Sequence, residues 1–307
     1  MVRPIMRLIL AVLSLSVTAV ATPVPLARRE ISSELLERFT LFSQFAAVSA
    51  CDQNINHTGQ SVTCDFGNCE FVEADNTTVI DIFHSTTGPT GYIALDHTRQ
   101  LIVLAFRGTI SKHDSEIDFK INLSKIDICE GCLAHEGFLE YWQAVEDQAT
   151  SKLKQATQEY QDYRLSVVGH SLGAAVATLA GASLRKHFTL DMWTFGSPKP
   201  GNKKLAEFIT SQQPPDSVYR VTHAADLVPK IPPTGIIFDW SQPSPEYWID
   251  QETGQQVTTA VVKRIEGINS KEGNEGTAPS SPIWPSPDHG WYFGNLSVCA
   301  DPADKGH

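Results

Sequence analysis

The stretch Arg164-Leu-Ser-Val-Val-Gly-His-Ser-Leu-Gly173 carries a short apolar run into a Gly-x-Ser-x-Gly pentapeptide, and an Ala- and Leu-rich segment follows directly, from Ser171 to His187. The first part reads as a buried strand and the last as a helix. The chain must therefore turn sharply between Val168 and Leu172, presenting Ser171 at the strand's tip, and side chains at Gly169 and Gly173 would crowd that turn and the backbone beside it. Context matters, because three fixed positions recur by chance in roughly one chain of this length in ten. The plain alternative is a glycine-rich turn with no chemistry.

Outward from this turn, strand-like and helix-like patterns alternate. Gly91–Leu95 and Leu101–Phe106 are apolar runs separated by the turn-like Asp96–Gln100, a predicted hairpin. Phe138, Trp142, Val145, Ala149, Leu153, Ala156 and Tyr160 recur at steps of three and four residues, the face of one long helix. Asp191–Phe195 and Ser217–Thr222 read as two more strands. This order predicts an α/β fold with a central, mostly parallel sheet flanked by helices. The polar stretch Asn269–Ser281 reads as a surface loop, and with no repeat or Gly/Ser linker a single domain is expected.

A serine hydroxyl is a weak nucleophile, so Ser171 needs a base within hydrogen-bond reach and a carboxylate to orient that base. On a strand-turn-helix of this type the order along the chain is serine, acid, histidine. Downstream lie His187, His223, His289 and His307. His187 sits in the helix leaving the serine and His307 ends the chain, so His223 and His289 remain. His223 reads as a structural histidine beside the site. His289, in Pro287-Asp-His-Gly-Trp-Tyr-Phe293, is the candidate base. Asp226, in the loop after the strand ending at Thr222, is the candidate acid ahead of Asp239 and Asp250. The Leu172 N–H is the expected oxyanion donor, and Thr109, after the strand ending at Phe106, is the second candidate.

Arg3 and Arg7 precede a short apolar run, Leu8–Val17, closed by Ala19-Val-Ala21, the pattern of a secretory signal over residues 1–21. The run falls well short of the roughly 20 residues needed to span a bilayer. Residues 22–29 end in Arg28-Arg29 and read as a propeptide, leaving 30–307 as the mature domain. Removing residues 1–29 deletes four arginines and no acid, so the mature chain is more acidic than the whole, whose formal charge is −11. That charge argues against nucleic acid or anionic lipid as partners. Six cysteines in an exported chain favour disulfides. Spacing decides only the local pairs, Cys64 with Cys69 and Cys129 with Cys132, which leaves Cys51 with Cys299. Zinc is disfavoured because no second Cys/His pair of suitable spacing accompanies Cys129-x-x-Cys132. Asn56, Asn76, Asn122 and Asn295 begin glycosylation sequons.

Taken with Phe106-Arg-Gly-Thr109, Phe195-Gly-Ser-Pro-Lys-Pro-Gly-Asn202, Asp226-Leu-Val-Pro229, Ser244-Pro-Glu-Tyr-Trp-Ile249 and Trp291-Tyr-Phe-Gly294, the Gly-His-Ser-Leu-Gly motif makes the mature sequence resemble the filamentous-fungal class 3 lipases. The resemblance implies an α/β-hydrolase fold, metal-free and cofactor-free hydrolysis of acyl esters, Ser171, Asp226 and His289 as the triad, Thr109 and Leu172 as the oxyanion hole, and the same three disulfides. It implies a lipid or other ester substrate at an oil–water interface; the leader pattern implies a secreted protein, and the sequence leaves the oligomeric state open, with a monomer expected. In two places the sequence departs from that family's pattern. The stretch matching the family's lid, Ile110–Phe119, is polar with a narrow stripe of Ile110, Ile117 and Ile121, and gains little by lying on fat, which leaves a feruloyl-type or other soluble-ester esterase as the alternative. A non-catalytic lipid carrier is the remote one. Lys199 stands where the family usually has arginine, a change expected to affect only local packing.

Overall fold

The computed structural model describes residues 30–55, 58–64, 68–83, 90–108, 122–235, 239–278, 286–297 and 299. The expected signal and propeptide, Asn56, Thr109, the lid-like stretch and His307 lie outside them.

One eight-stranded sheet organises the chain, and its strand order follows the chain order: β1 (Thr77–Phe83), β2 (Gly91–Asp96), β3 (Leu101–Phe106), β4 (Arg164–His170), β5 (Leu190–Phe195), β6 (Val218–His223), β7 (Glu246–Ile249) and β8 (Val262–Ile265). The pairs from β3 through β7 are parallel, while β1 with β2, β2 with β3 and β7 with β8 are antiparallel. The predicted hairpin is the β2–β3 pair.

Continuous apolar runs mark β2 and β3 because both faces of the sheet are covered. Alternate residues point to opposite sides. Ile102, Leu104 and Phe106 join one core with Phe138, Trp142 and Leu179, whereas Leu101, Val103 and Ala105 join another with Phe42, Phe45 and Trp193. Helix α1 (Ser33–Val48), capped by the Ser32 hydroxyl accepting from the Leu35 N–H at 3.1 Å, supplies the aromatic rings of the second core. Helix α4 (Leu172–Leu184) is buried along its whole length.

The single long helix expected through Phe138–Tyr160 is two helices, α2 (Glu136–Gln143) and α3 (Glu146–Glu159). The apolar spacing runs through the break because Trp142, Val145 and Ala149 all enter the same core on either side of the bend. A second, four-stranded sheet formed by Leu123–Lys125, Leu133–His135, Gly201–Asn202 and Trp240–Ser241 lies outside the main one. Helix α5 (Lys203–Ser211) follows it, capped by Asn202, whose side chain accepts from the Leu205 N–H at 3.0 Å. Among the described residues no helix is long and apolar enough to cross a membrane.

All three expected disulfides are formed, with sequence separations of 248 for Cys51–Cys299, 5 for Cys64–Cys69 and 3 for Cys129–Cys132. In the chain-entropy account a cross-link stabilises by restricting the unfolded state, by about 5 kcal/mol for a loop of the first length and about 2 kcal/mol for the last. Urea unfolding is expected to rank the double replacements accordingly: Cys51→Ala/Cys299→Ala loses more than Cys129→Ala/Cys132→Ala.

Candidate active site

At the carboxyl end of the sheet β4 stops at His170 and α4 starts at Leu172, leaving Ser171 alone at the bend with φ 56° and ψ −129°. A non-glycine residue there carries strain of about 1–3 kcal/mol, held by its surroundings. The Ser171 N–H donates to the Phe195 carbonyl of β5 at 3.0 Å, and its own carbonyl accepts from the Ala174 N–H at 2.9 Å. The flanking glycines let three backbones meet. A Cβ at Gly169 would fall 2.3 Å from the Gly173 carbonyl oxygen, and one at Gly173 would fall 2.3 Å from that of Phe106.

Two loops converge on this serine. One follows β6 and carries Asp226; the other is the short 3-10 turn Pro287–Gly290, which carries His289. His289 Nε2 lies 2.8 Å from Ser171 Oγ, and its Nδ1 lies 2.9 Å from Asp226 Oδ2. The ring can therefore accept the hydroxyl proton at Nε2 while donating from Nδ1 to the carboxylate. Asp226 has no exposed surface and His289 is 7% exposed. Burial alone would push the Asp226 carboxyl up. The neighbouring His289 and hydrogen bonds from His289, Tyr292 and the Val228 N–H outweigh it and hold the group below the usual carboxylate range.

Tyr292 enters the sequence reading only inside the Trp291-Tyr-Phe-Gly294 motif, yet its hydroxyl donates to Asp226 Oδ2 at 2.7 Å, and the Val228 N–H donates to Oδ1 at 3.0 Å. Behind the acid loop, Asn274 Nδ2 donates to the Asp226 carbonyl at 2.9 Å. Asn274 is itself buried, so the stretch expected to be a surface loop sends one residue under the site. Its N–H donates to Glu246 Oε1 at 3.2 Å, and Glu246 pairs with the buried Arg220 at 3.6 Å.

His170 packs its ring against His289, centroids 4.7 Å apart, and Nε2 lies 2.8 Å from the His289 carbonyl oxygen. Burial, then the neighbouring His289, push its pKa down to about 3, so the ring is neutral and its single proton sits on Nε2 as the donor.

The two rejected acids are elsewhere: Asp239 is exposed, and Asp250 pairs with Lys263. The His223 ring nitrogens face the Asp288 and Gln251 carbonyls, at 2.9 and 3.0 Å. The Leu172 N–H, at the first turn of α4, has no acceptor within the helix by position. Gly108, just before Thr109, brings the end of β3 against the serine turn, where an added Cβ would lie 2.9 Å from the His170 carbonyl oxygen. The sequon residues Asn76, Asn122 and Asn295 are all exposed.

Lys199 does more than pack. It is fully buried, its ammonium donating to the Lys230 carbonyl at 3.0 Å and to Thr234 Oγ1 at 2.9 Å and pairing with Glu275 at 3.3 Å. Burial lowers its pKa, and Glu275 opposes that shift.

A nucleophile elbow on a mostly parallel sheet, with a histidine and a buried aspartate joined to the serine in one hydrogen-bonded chain, defines an α/β-hydrolase with a serine-hydrolase arrangement. Residues 103–236 match the family of class 3 lipases. Secreted mono- and diacylglycerol lipase A of Penicillium cyclopium is 39% identical over 279 residues, 89% of either chain, and secreted mono- and diacylglycerol lipase 1 of Fusarium solani is 35% identical over 96% of this chain and 90% of its own. The crystal structure of a mono- and diacylglycerol lipase from Aspergillus oryzae superposes with a TM-score of 0.79 at 37% identity, covering 86% of this chain and 98% of that one. The chain belongs to the class 3 lipase family and is a carboxylic ester hydrolase.

Because the Asp226 carboxyl is held low in the folded protein, its stabilisation is complete above the unfolded value of about 4 and is lost as pH falls through the depressed folded one. Tyr292→Phe removes one donor to the charged form, so it is expected to cost about 1.5–3 kcal/mol at pH 7 and less at pH 2 to 3. Urea unfolding at both pH values checks the difference.

Proposed function

We propose that the mature chain is a secreted lipase that hydrolyses acylglycerols through an acyl-enzyme, with Ser171 as nucleophile, His289 as general base and acid, and Asp226 as the orienting carboxylate. The observation that carries this reading is the unbroken chain of contacts from Ser171 Oγ to His289 Nε2 at 2.8 Å and from His289 Nδ1 to Asp226 at 2.9 Å.

In the first half-reaction Ser171 Oγ attacks the ester carbonyl carbon as its proton moves to His289 Nε2. Asp226 holds the ring in the productive tautomer and stabilises the imidazolium that forms. The carbonyl oxygen, now negative, lies towards the Leu172 N–H, with Thr109 as the second donor; each such donor typically lowers the barrier by about 3–4 kcal/mol. His289 then returns its proton to the departing glycerol oxygen. Water repeats the sequence on the acyl-enzyme and releases the fatty acid.

Names of the relatives support partial glycerides as substrates. Export is supported by those names and by the leader-like residues 1–21, with residues 22–29 as a propeptide and residues 30–307 as one monomeric domain. The exposed sequons at Asn76, Asn122 and Asn295 are acceptors available to an exported chain.

Replacing the nucleophile tests the mechanism. Ser171→Ala is expected to lose about 10⁴-fold or more in turnover of p-nitrophenyl butyrate and all labelling by an organophosphonate, with folding unchanged by circular dichroism. Substrate class is read by comparing emulsified tributyrin and diolein with methyl ferulate above and below solubility. Higher turnover on the emulsions supports the lipase assignment, and preference for methyl ferulate would replace it with the esterase.

A further inference from the structure

The turn that carries His289 has little regular structure to place it. Within Pro287–Gly290 the His289 N–H reaches the Ser286 carbonyl at 2.9 Å. From outside, beside the Leu296 N–H on the Gly290 carbonyl at 2.9 Å, two imidazoles act on successive peptide groups of the turn. His170 donates to the carbonyl of His289 itself, at 2.8 Å. The carbonyl immediately before it, that of Asp288, lies 2.9 Å from Nδ1 of His223.

His223 has no exposed surface. Its second ring nitrogen, Nε2, lies 3.0 Å from the Gln251 carbonyl oxygen. A carbonyl oxygen only accepts, so both nitrogens face acceptors, and a neutral imidazole has one proton to donate. Its backbone serves the other loop, because the His223 carbonyl accepts from the Asp226 N–H at 2.9 Å. One residue at the end of β6 thus meets the acid loop through its main chain and the base loop through its ring.

We propose that His223 is a positioning residue for hydrolysis, donating from ring Nδ1 to the Asp288 carbonyl while the ring is wedged against the Gln251 carbonyl, and so fixing His289 in register with Asp226 and Ser171. This rests on the reading that His289 is the base. The ionisable groups on the segments around it are already engaged. Asp288 accepts from Thr253 Oγ1 at 2.7 Å, Asp226 serves His289, Tyr292 and the Val228 N–H, Asp250 pairs with Lys263, and the Tyr292 ring lies 5.8 Å from the imidazole with its hydroxyl on Asp226. His223 therefore answers to peptide carbonyls, which reposition the turn directly when they are released.

Two measurements test this. In histidine-labelled wild-type enzyme, nitrogen–proton NMR is expected to show a slowly exchanging ring proton on Nδ1 of His223, assigned by its loss in His223→Gln. A bare Nδ1 would overturn the contact with Asp288, and this readout does not depend on activity. In kinetics on soluble p-nitrophenyl butyrate, His223→Phe, which keeps the bulk and removes the Nδ1 donor, is expected to lower kcat about 10- to 100-fold, the scale of a small misplacement of a reacting group, with KM within about twofold. Organophosphonate labelling of Ser171 should slow in parallel, and His223→Gln, which retains an amide donor, should recover part of the loss. Wild-type kcat in both variants would reduce His223 to a structural role and end the proposal. If His223→Phe fails to fold, the Nδ1 proton and the His223→Gln kinetics decide. Failure of the triad itself would appear separately, as turnover retained in Ser171→Ala.

Discussion

A carboxylate with no exposed surface is tolerated only where donors replace the water it has lost, and that requirement at Asp226 shapes the site around it. Its oxygens receive the His289 ring, the Tyr292 hydroxyl and the Val228 N–H. Two of these come from a segment more than sixty residues further along, so satisfying one buried charge draws two distant pieces of chain together at the serine. The same contacts that make the charge affordable also set the tautomer of His289. Structural necessity and chemical orientation are here the same set of hydrogen bonds.

The sheet supplies the stiffness this arrangement needs. Ser171 follows β4 and Asp226 follows β6, with β5 hydrogen-bonded between them, so their separation is set by parallel strand pairing rather than by loop conformation. Both sheet faces are buried, which resists shear between the strands. Only His289 lacks a strand of its own. It is held by side chains instead, with the tilted His170 ring packed against it and Tyr292 three residues downstream sharing its carboxylate. Polar support continues outward through Asn274 to Glu246 and Arg220, all buried, so the acid loop rests on a floor of paired charge rather than on hydrocarbon.

Much of this was legible in the sequence, and the parts that were not share a cause. Strands β2 and β3 announce themselves because burial on both faces demands near-continuous apolar runs, and β4 to β6 keep enough apolar residues between their polar ones to be read. Strand β1, with the half-buried Thr78 and Asp81, and β8, with Lys263 and Arg264, carry polar residues at the sheet's margins and give no such signal. The long helix predicted through Phe138–Tyr160 failed at Ala144–Val145 because apolar periodicity reports which side faces the core, not whether the axis bends. Ser171, His289 and Asp226 could be picked out because nucleophilic chemistry demands those residue types in that order. Tyr292 and Asn274 could not, since a hydroxyl or amide acquires its task only when folding brings an acceptor within reach. Lys199 looked like a neutral exchange for arginine, and its burial beside Glu275 became visible only in three dimensions.

The Cys51–Cys299 bridge has one further consequence for an exported enzyme. It closes the chain into a covalent ring that contains Ser171, Asp226 and His289. A single backbone cut anywhere between those cysteines opens the ring without releasing a fragment, so the two pieces stay covalently joined and Ser171, Asp226 and His289 remain on one molecule.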